Sequence, residues 1–97
     1  EEDFVHKISD KEYLVEGSVN LDDFNDRLEL NLESEEYDSL GGFIIEHLDR
    51  LPEAGDSITT EGGIRLVVET LDKNRIEQVH VYLPEKAETT DDNSEED

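Results

Sequence analysis

Apolar and polar residues alternate in two short stretches at the start of the chain. The first covers residues 4–8 and the second residues 13–17, with the turn-like residues 9–12 between them. Alternation with a period of two is typical of a half-buried strand. The pattern therefore predicts two short strands.

The apolar spacing then changes to that of a helix. Leu21, Phe24 and Leu28 lie at positions i, i+3 and i+7, which places them on one helical face. Asn20 precedes them and can cap the helix, and the carboxylate of Asp23 suits the positive end of the helix dipole. We predict a helix of about two turns, which is about eight residues.

A second apolar stripe with helical spacing follows an acidic loop. Its members are Leu40, Ile44, Leu48 and Leu51. Asp38 or Ser39 can cap this helix, and Pro52 ends it. Gly41 and Gly42 lie in its first turn, although a glycine in a helix interior costs about 1 kcal/mol against alanine. We infer that another backbone approaches closely at this glycine pair.

The pattern of residues 57–83 predicts strands. Apolar-rich segments cover residues 57–61, 64–72 and 75–83. Gly62-Gly63 between the first two is a strong signal for a two-residue hairpin turn, and Lys73-Asn74 is a weaker one. We therefore predict three strands joined by two hairpins.

The last of these strands carries one apolar residue out of phase. Val79, Val81 and Leu83 share one face by alternation, whereas Ile76 falls on the other. This offset predicts either a β-bulge or a second apolar contact.

The element order ββααβββ predicts an α+β fold, with two helices packed on a small mixed or antiparallel sheet. Residues 1–83 form a single domain in this interpretation. Residues 84–97 carry seven acids, one lysine and no large apolar residue. Such a segment cannot bury enough surface to fold, so we predict a disordered acidic tail.

Charge excludes several classes of function. The chain has 8 Lys+Arg against 29 Asp+Glu, a formal net charge of −21, which opposes unaided binding to nucleic acid or to an anionic lipid surface. No apolar run approaches the roughly 20 residues of a membrane span, so we expect no direct membrane insertion. Because the chain lacks methionine altogether, we expect it to be a piece of a longer protein.

Patterns for catalysis and ligand binding are weak. The chain has no cysteine, and none of its three histidines has a second ligand at the spacing of a metal site, so we predict no enzymatic activity. The acidic loop at residues 33–38 could bind Mg²⁺ or Ca²⁺ weakly, although a solvated loop is the simpler interpretation. The amides of Gly41 and Gly42 could bind an anion or a nucleotide, but the neighbouring acids oppose this. We expect no bound cofactor.

Five short segments follow one another at a characteristic spacing. They are residues 13–17 (YLVEG), 21–25 (LDDFN), 37–42 (YDSLGG), 51–56 (LPEAGD), and 75–76 (RI) with Val79 and Val81. In this order the chain resembles the CorC/HlyC transporter-associated domain from about residue 13 to residue 83. The resemblance rests on the combination, because each segment alone is a weak signal.

The resemblance implies an α+β fold grouped with a part of FAD-binding oxidases, and it brings no catalytic residues. The family positions that it implies are architectural. They are Gly17 at a strand exit, Asp23 in the first helix, Tyr37, Leu40 and Gly42 around the second helix, Pro52, Gly55 and Asp56 in the turn before the hairpins, and Ile76.

Members of this family carry a membrane region and a pair of CBS domains that bind adenine nucleotides, followed by this module on the cytoplasmic side. The resemblance therefore implies an accessory domain of a magnesium or cobalt efflux protein, or of a protein labelled a hemolysin, that modulates ion transport by contacting the CBS pair or the membrane region. It leaves open an FAD or adenine-nucleotide module, a weak divalent-cation sensor and a homodimer. The charge of −21 disfavours a secreted pore-forming toxin.

Overall fold

The computed structural model describes residues 4–84, which form seven elements. They are β1 (Val5–Ser9), β2 (Glu12–Glu16), α1 (Leu21–Leu28), α2 (Leu40–Leu48), β3 (Ser57–Thr59), β4 (Arg65–Asp72) and β5 (Arg75–Tyr82). The predicted order ββααβββ is confirmed. The predicted acidic tail lies outside the described residues except for Pro84.

The five strands form one antiparallel sheet in the order β1-β2-β5-β4-β3. The C-terminal strand β5 lies at its centre, where Val79 pairs with Val15 of β2 on one side and with Val68 of β4 on the other. All three valines are nearly inaccessible to solvent. Burial of this apolar row favours the pairing of β2 with β5 across a long stretch of sequence.

Both helices pack on the same face of the sheet. The core between them is entirely apolar among the described residues, and its fully buried members come from every layer. These are Phe24, Leu40, Ile44, Leu66, Val15, Val68, Val79 and Val81. The apolar faces predicted for α1 and for the first turns of α2 are therefore the faces that build the core.

The helix caps follow from the sequence, and they correct one prediction. The Asn20 side chain accepts hydrogen bonds from the amides of Asp22 and Asp23, and Ser39 caps α2. Asp49 takes a left-handed conformation with φ 60° and ends α2 before Pro52 is reached. Leu51 was predicted on the inward stripe of this helix, but it lies beyond the helix end and is 67% exposed.

The offset of Ile76 comes from an irregularity between β4 and β5. Val68 pairs with Val79, Thr70 with Gln78 and Leu71 with Ile76, so the register slips by one residue and then returns. The predicted bulge is confirmed. Ile76 consequently faces the core and is 6% exposed, although alternation from Val79 assigned it to the opposite face.

The two hairpins differ from each other in turn length. Lys73 and Asn74 form the predicted two-residue connection, with Lys73 at φ 63°. The turn at Gly62-Gly63 was predicted to have two residues, but Thr60 pairs with Ile64 and encloses three. Gly63, at φ 89°, adopts the left-handed conformation that such a three-residue loop requires.

Candidate functional site

Three elements meet at a junction of backbone atoms around Gly17. The Gly17 amide donates to the carbonyl oxygen of Glu77 in β5 at 2.9 Å, and the Gly17 carbonyl accepts from the amide of Gly41 in α2 at 2.8 Å. A Cβ at Gly17 would lie 2.1 Å from the carbonyl oxygen of Ile76, and a Cβ at Gly41 would lie 3.1 Å from the Gly17 oxygen. The predicted close backbone approach to the glycine pair thus occurs at Gly41.

Gly42 meets a side chain instead of a backbone. A Cβ at this position would lie 2.4 Å from the Cβ of Tyr37 and 2.5 Å from its ring. The Tyr37 side chain therefore packs over the first turn of α2 while remaining 38% exposed. Its place depends on the absence of a side chain at Gly42.

A groove of about 570 Å³, the junction groove, opens beside these contacts. Its lining includes Ser18, Tyr37 and Ile45, together with Arg75, Ile76 and Gln78 of β5. Its volume falls in the range of small-molecule sites, which is about 300–1,000 Å³. Glu16, Asp72 and Glu77 also line it, so carboxylates outnumber its single arginine.

The start of α2 offers little to an anion in that groove. The Gly41 amide is bonded to the Gly17 carbonyl, and the Gly42 amide is bonded to the Ser39 hydroxyl at 3.1 Å. A helix N-terminus binds phosphate through amides that are free to point at it. The two glycine amides that suggested such a site are already used by the fold.

A second groove of about 670 Å³, the acidic groove, lies where the two helices begin. The caps Asn20 and Ser39 form an antiparallel bridge, with the Leu21 amide donating to the Asp38 carbonyl at 2.7 Å. Both helix N-termini are therefore neighbours. The groove carries five carboxylates, namely Asp22, Glu33, Glu35, Asp38 and Glu46.

The adjacent helix N-termini help to explain why acids collect in the acidic groove. Each helix carries about half a positive charge at its start, which stabilises nearby carboxylates. Glu46 has a partner as well, because it accepts a hydrogen bond from the Ser34 hydroxyl. Among residues 4–84, no group of three or more histidine and acidic side chains has the arrangement of a metal site.

The turn that follows α2 is organised by Asp56. Its carboxylate accepts two hydrogen bonds from the Arg50 guanidinium, both at 2.9 Å, and one from the Glu53 amide at 2.8 Å. The bonds from Arg50, together with the Glu53 amide, hold the pKa of Asp56 below its usual value. The neighbouring Gly55, at φ 97°, donates its amide to the Val68 carbonyl at 2.8 Å, which joins this turn to β4.

The sheet face turned away from the helices, the outer face, carries a histidine between two acids. His80 Nε2 lies 3.0 Å from Glu12 and Nδ1 lies 3.4 Å from Glu69. The imidazole stacks on Tyr82, with ring centroids 4.3 Å apart, and Cζ of Arg65 lies 5.5 Å from the centroid of the same Tyr82 ring. Leu14 and Val67 pair with His80 on either side and complete the centre of this face.

The structure divides the implied family positions between the two ends of α2. Around its N-terminus lie Gly17, Tyr37, Leu40, Gly42 and Ile76. The buried Pro52 follows its C-terminus together with Gly55 and Asp56, while Asp23 lies in the first turn of α1. They do not form one site.

Two arrangements were missed by the sequence interpretation. Arg50 is only six residues from Asp56, so an opposite-charge pair across the turn was a usable signal. The contacts of His80 had no such signal, because Glu12 is 68 residues away. Within the described range no helix reaches the length and hydropathy needed to cross a bilayer.

Comparison with protein families identifies relatives of the whole fold. The family described as Transporter associated domain, CorC_HlyC, matches residues 6–85. The UPF0053 protein of Synechocystis is 37% identical over an alignment of 93 positions that covers 91% of this chain and 20% of that protein. The magnesium and cobalt efflux protein CorC of Salmonella typhimurium is 31% identical over 79 residues, which are 81% of this chain and 27% of that protein.

Solved structures agree. The transporter associated domain from a CBS domain protein of Porphyromonas gingivalis has a TM-score of 0.73 at 29% identity, covering 82% of this chain and 97% of that one. It shares the fold of five strands and two helices described above. The chain spans 20% and 27% of the two curated relatives' lengths, so their activities belong to much longer proteins.

Proposed function

This chain belongs to the CorC_HlyC family of transporter-associated domains, and on that premise we propose that it is a non-catalytic regulatory domain of a longer cation-transport protein. In this proposal it modulates the transport of magnesium or cobalt through contact with the remainder of that protein. In this proposal the transport step itself takes place in another part of the longer protein.

The observation that carries the proposal is the extent of the family match. Residues 6–85 include all seven elements except Val5, the first residue of β1, yet the chain is similar to only 27% of the Salmonella efflux protein. A folded unit that corresponds to about a quarter of a transport protein is suited to control by contact. The described residues also offer exposed surfaces for such contact, namely the two grooves and the outer face.

The proposed contacts are a CBS pair and the membrane region, with this domain on the cytoplasmic face of the membrane. Support for the CBS pair comes from the Porphyromonas relative, which is a CBS domain protein. The net charge of −21 supports contact with protein over direct contact with anionic lipid headgroups.

The test is transport by the longer protein with and without a folded copy of this domain. We would measure ion efflux for the intact protein, a deletion of the domain, a Leu40→Asp variant and a Leu51→Asp variant. Leu40 is fully buried and Leu51 is 67% exposed, so the first unfolds only this domain and the second is its matched control. We expect altered efflux for the deletion and for Leu40→Asp, with unchanged membrane insertion. Unchanged efflux in both would refute the proposal.

A second candidate function is binding of FAD or an adenine nucleotide. The junction groove favours it, because its volume of about 570 Å³ is adequate and Tyr37 and Arg75 could contact a base and a phosphate. The three carboxylates of that groove oppose it, which ranks it second. Thermal unfolding with FAD, ATP or AMP is the test, since a ligand that binds only the folded state raises the Tm.

Weak divalent-cation binding is the third candidate, and the acidic groove is the reason to test it. Unfolding in MgCl₂ or CaCl₂ would be compared with NaCl at equal ionic strength, because all salts screen the carboxylates. A rise in Tm beyond the NaCl control would support a specific site. Equal shifts would reject it.

A further inference from the structure

Both ring nitrogens of His80 face a carboxylate. Nε2 lies 3.0 Å from Glu12 Oε1 in β2, and Nδ1 lies 3.4 Å from Glu69 Oε2 in β4. A neutral imidazole has one N–H donor and one lone pair, whereas an imidazolium has two N–H donors. Only the charged ring can therefore offer a proton to both carboxylates. The neutral ring must turn a lone pair toward one of them.

The other groups around the ring leave the two carboxylates dominant. Tyr82 of β5 stacks on the ring in a nearly parallel arrangement, and the His80 side chain is only 18% exposed. Leu14 and Val67 flank it on the neighbouring strands and carry no charge. Arg65 of β4, whose guanidinium lies over the Tyr82 ring, is the base that opposes a positive charge here. Two acids within ion-pair distance outweigh this one base.

Charge in the remainder of the fold also favours a positive ring. The helical layer, residues 22–49, carries ten acids and one arginine, a net charge of −9. The five strands together carry five acids and three bases, a net charge of −2. Solvent screens the more distant of these charges. Even so, a chain with a net charge of −21 holds an imidazolium more readily than a neutral chain would.

We propose that Glu12, His80 and Glu69 form a pH-dependent ion-pair bridge across the centre of the sheet, the His80 bridge. With both ring nitrogens protonated, His80 donates to a carboxylate on each neighbouring strand. When the ring loses one proton it retains the proton on Nε2, because Glu12 is nearer than Glu69. The lone pair of Nδ1 then faces the Glu69 carboxylate, and that half of the bridge is lost.

The His80 bridge joins strands that are distant in the sequence. Glu12 is 68 residues from His80, and β5 lies between β2 and β4 in the sheet. An imidazole changes its charge between about pH 5 and pH 8. Because the folded state favours the charged ring, the contribution of the bridge to stability is present where the ring is charged and falls as the pH rises. This proposal is independent of the transport function proposed above.

Nitrogen-15 NMR of the full chain reports the protons on each ring nitrogen directly. We expect His80 to carry a proton on both nitrogens at about pH 5.5 and to retain only the Nε2 proton at about pH 8. It should also hold its second proton to a higher pH than His6 does. His6 is the internal reference, because it is exposed on the edge strand β1. The spectrum of His80→Gln would assign the signals.

Glu69→Gln should change the sign of its effect with pH. At about pH 5.5 the variant removes a partner of the charged ring, so we expect its Tm to lie about 2–5 °C below wild type. At about pH 8 the glutamine amide can donate to the unprotonated Nδ1, so the Tm should equal or exceed that of wild type. Glu69 is 41% exposed, so the substitution spares the core.

The matched control is Glu16→Gln. Glu16 lies on the same strand and the same face as Glu12, but its neighbour on β5 is Gln78. Thermal unfolding of this variant should give a Tm difference from wild type that keeps its sign between about pH 5.5 and pH 8.

Three results would overturn the proposal. A His80 ring that loses its second proton at the same pH as His6 would show that the two carboxylates do not hold it. A remaining proton on Nδ1 at about pH 8 would reverse the roles given to Glu12 and Glu69. A Tm difference for Glu69→Gln that is equal at both pH values would show that this contact does not respond to the charge of the ring.

Discussion

The amide of Gly41 donates a 2.8 Å hydrogen bond to the carbonyl oxygen of Gly17, and this bond joins the start of α2 to the end of β2. A Cβ at Gly41 would lie 3.1 Å from that oxygen, and a Cβ at Gly17 would lie 2.1 Å from the carbonyl oxygen of Ile76, so each glycine allows the approach of one neighbouring backbone. It also sets the position of α2 over the sheet, since Gly17 is bonded to Glu77 of the central strand at 2.9 Å. The two glycines therefore act as one structural unit although 24 positions separate them in the sequence.

Gly17→Ala should destabilise the domain strongly. The new Cβ would lie 2.1 Å from the carbonyl oxygen of Ile76, so the backbone of β2 or β5 must shift. We expect a loss of about 2–4 kcal/mol in the free energy of unfolding, measured with urea. Gly62→Ala is the matched control, because its Cβ would meet only Thr60 Oγ1 at 3.9 Å. Equal effects of the two variants would contradict the junction.

Leu40→Ala and Leu51→Ala should have very different effects. Leu40 is 0% exposed in the core, whereas Leu51 is 67% exposed after the end of α2. Removing a buried leucine side chain costs about 2–5 kcal/mol, while an exposed one costs about 0.5 kcal/mol or less. Thermal and urea unfolding of both variants would measure the difference. A large loss for Leu51→Ala would restore the longer helix that the sequence suggested.

Asp56→Asn should alter the stability of the domain in a pH-dependent way. The Arg50 guanidinium and the Glu53 amide lower the pKa of Asp56 in the folded state. A lowered pKa contributes stability above the unfolded value of about 3.9, and this contribution is lost as the pH falls through the folded value. The Tm difference between wild type and variant should therefore be largest near neutral pH and shrink below about pH 4.

The control for this prediction is Asp10→Asn. Asp10 lies 3.6 Å from Lys7, but its side chain is 94% exposed, so its ion pair contributes little. Its Tm difference from wild type should be small at every pH. A constant difference for Asp56→Asn between pH 3 and pH 7 would argue against the role given to Arg50.

Salt should stabilise the folded domain. Residues 22–49 have a net charge of −9, and screening reduces the repulsion among their carboxylates. An increase of NaCl from about 0.01 M to about 0.5 M should raise the Tm by about 4–8 °C, which corresponds to about 1 kcal/mol for a domain of this size. Glu33→Gln combined with Glu35→Gln should reduce this dependence more than Glu61→Gln in the β3–β4 hairpin. A Tm that fell with salt would show that ion pairs outweigh the repulsion.

Local patterns predicted the elements well where a short-range cause exists. Asn20 caps α1 and Ser39 caps α2, because a side-chain oxygen close in sequence can reach the first free amides. The break in apolar alternation between Ile76 and Val79 indicated the bulge, because this signal also lies within a few residues of the sequence. The end of α2 was misjudged, since the left-handed turn at Asp49 stops the helix before Pro52 and leaves Leu51 in solvent.

The candidate sites were harder to predict from the sequence than the elements. The glycine pair indicated that something approaches α2, but its partner Gly17 could be identified only in the folded structure. The acidic groove was visible as acidic residues in a loop, whereas the meeting of two helix N-termini beside them was not. His80 lies between Glu12 and Glu69 only because β5 is inserted between β2 and β4.

By itself the sequence determined the α+β class, the order of seven elements, the strongly acidic character and the resemblance to a transporter-associated domain. These properties depend on residue periodicity, caps and composition, which act over a few positions or over the whole chain. Tertiary structure alone decided the strand order, the junction of Gly17 with Gly41 and the separation of an acidic helical layer from a nearly neutral sheet. Those features depend on which distant segments bury apolar surface together. Local sequence patterns do not specify that pairing.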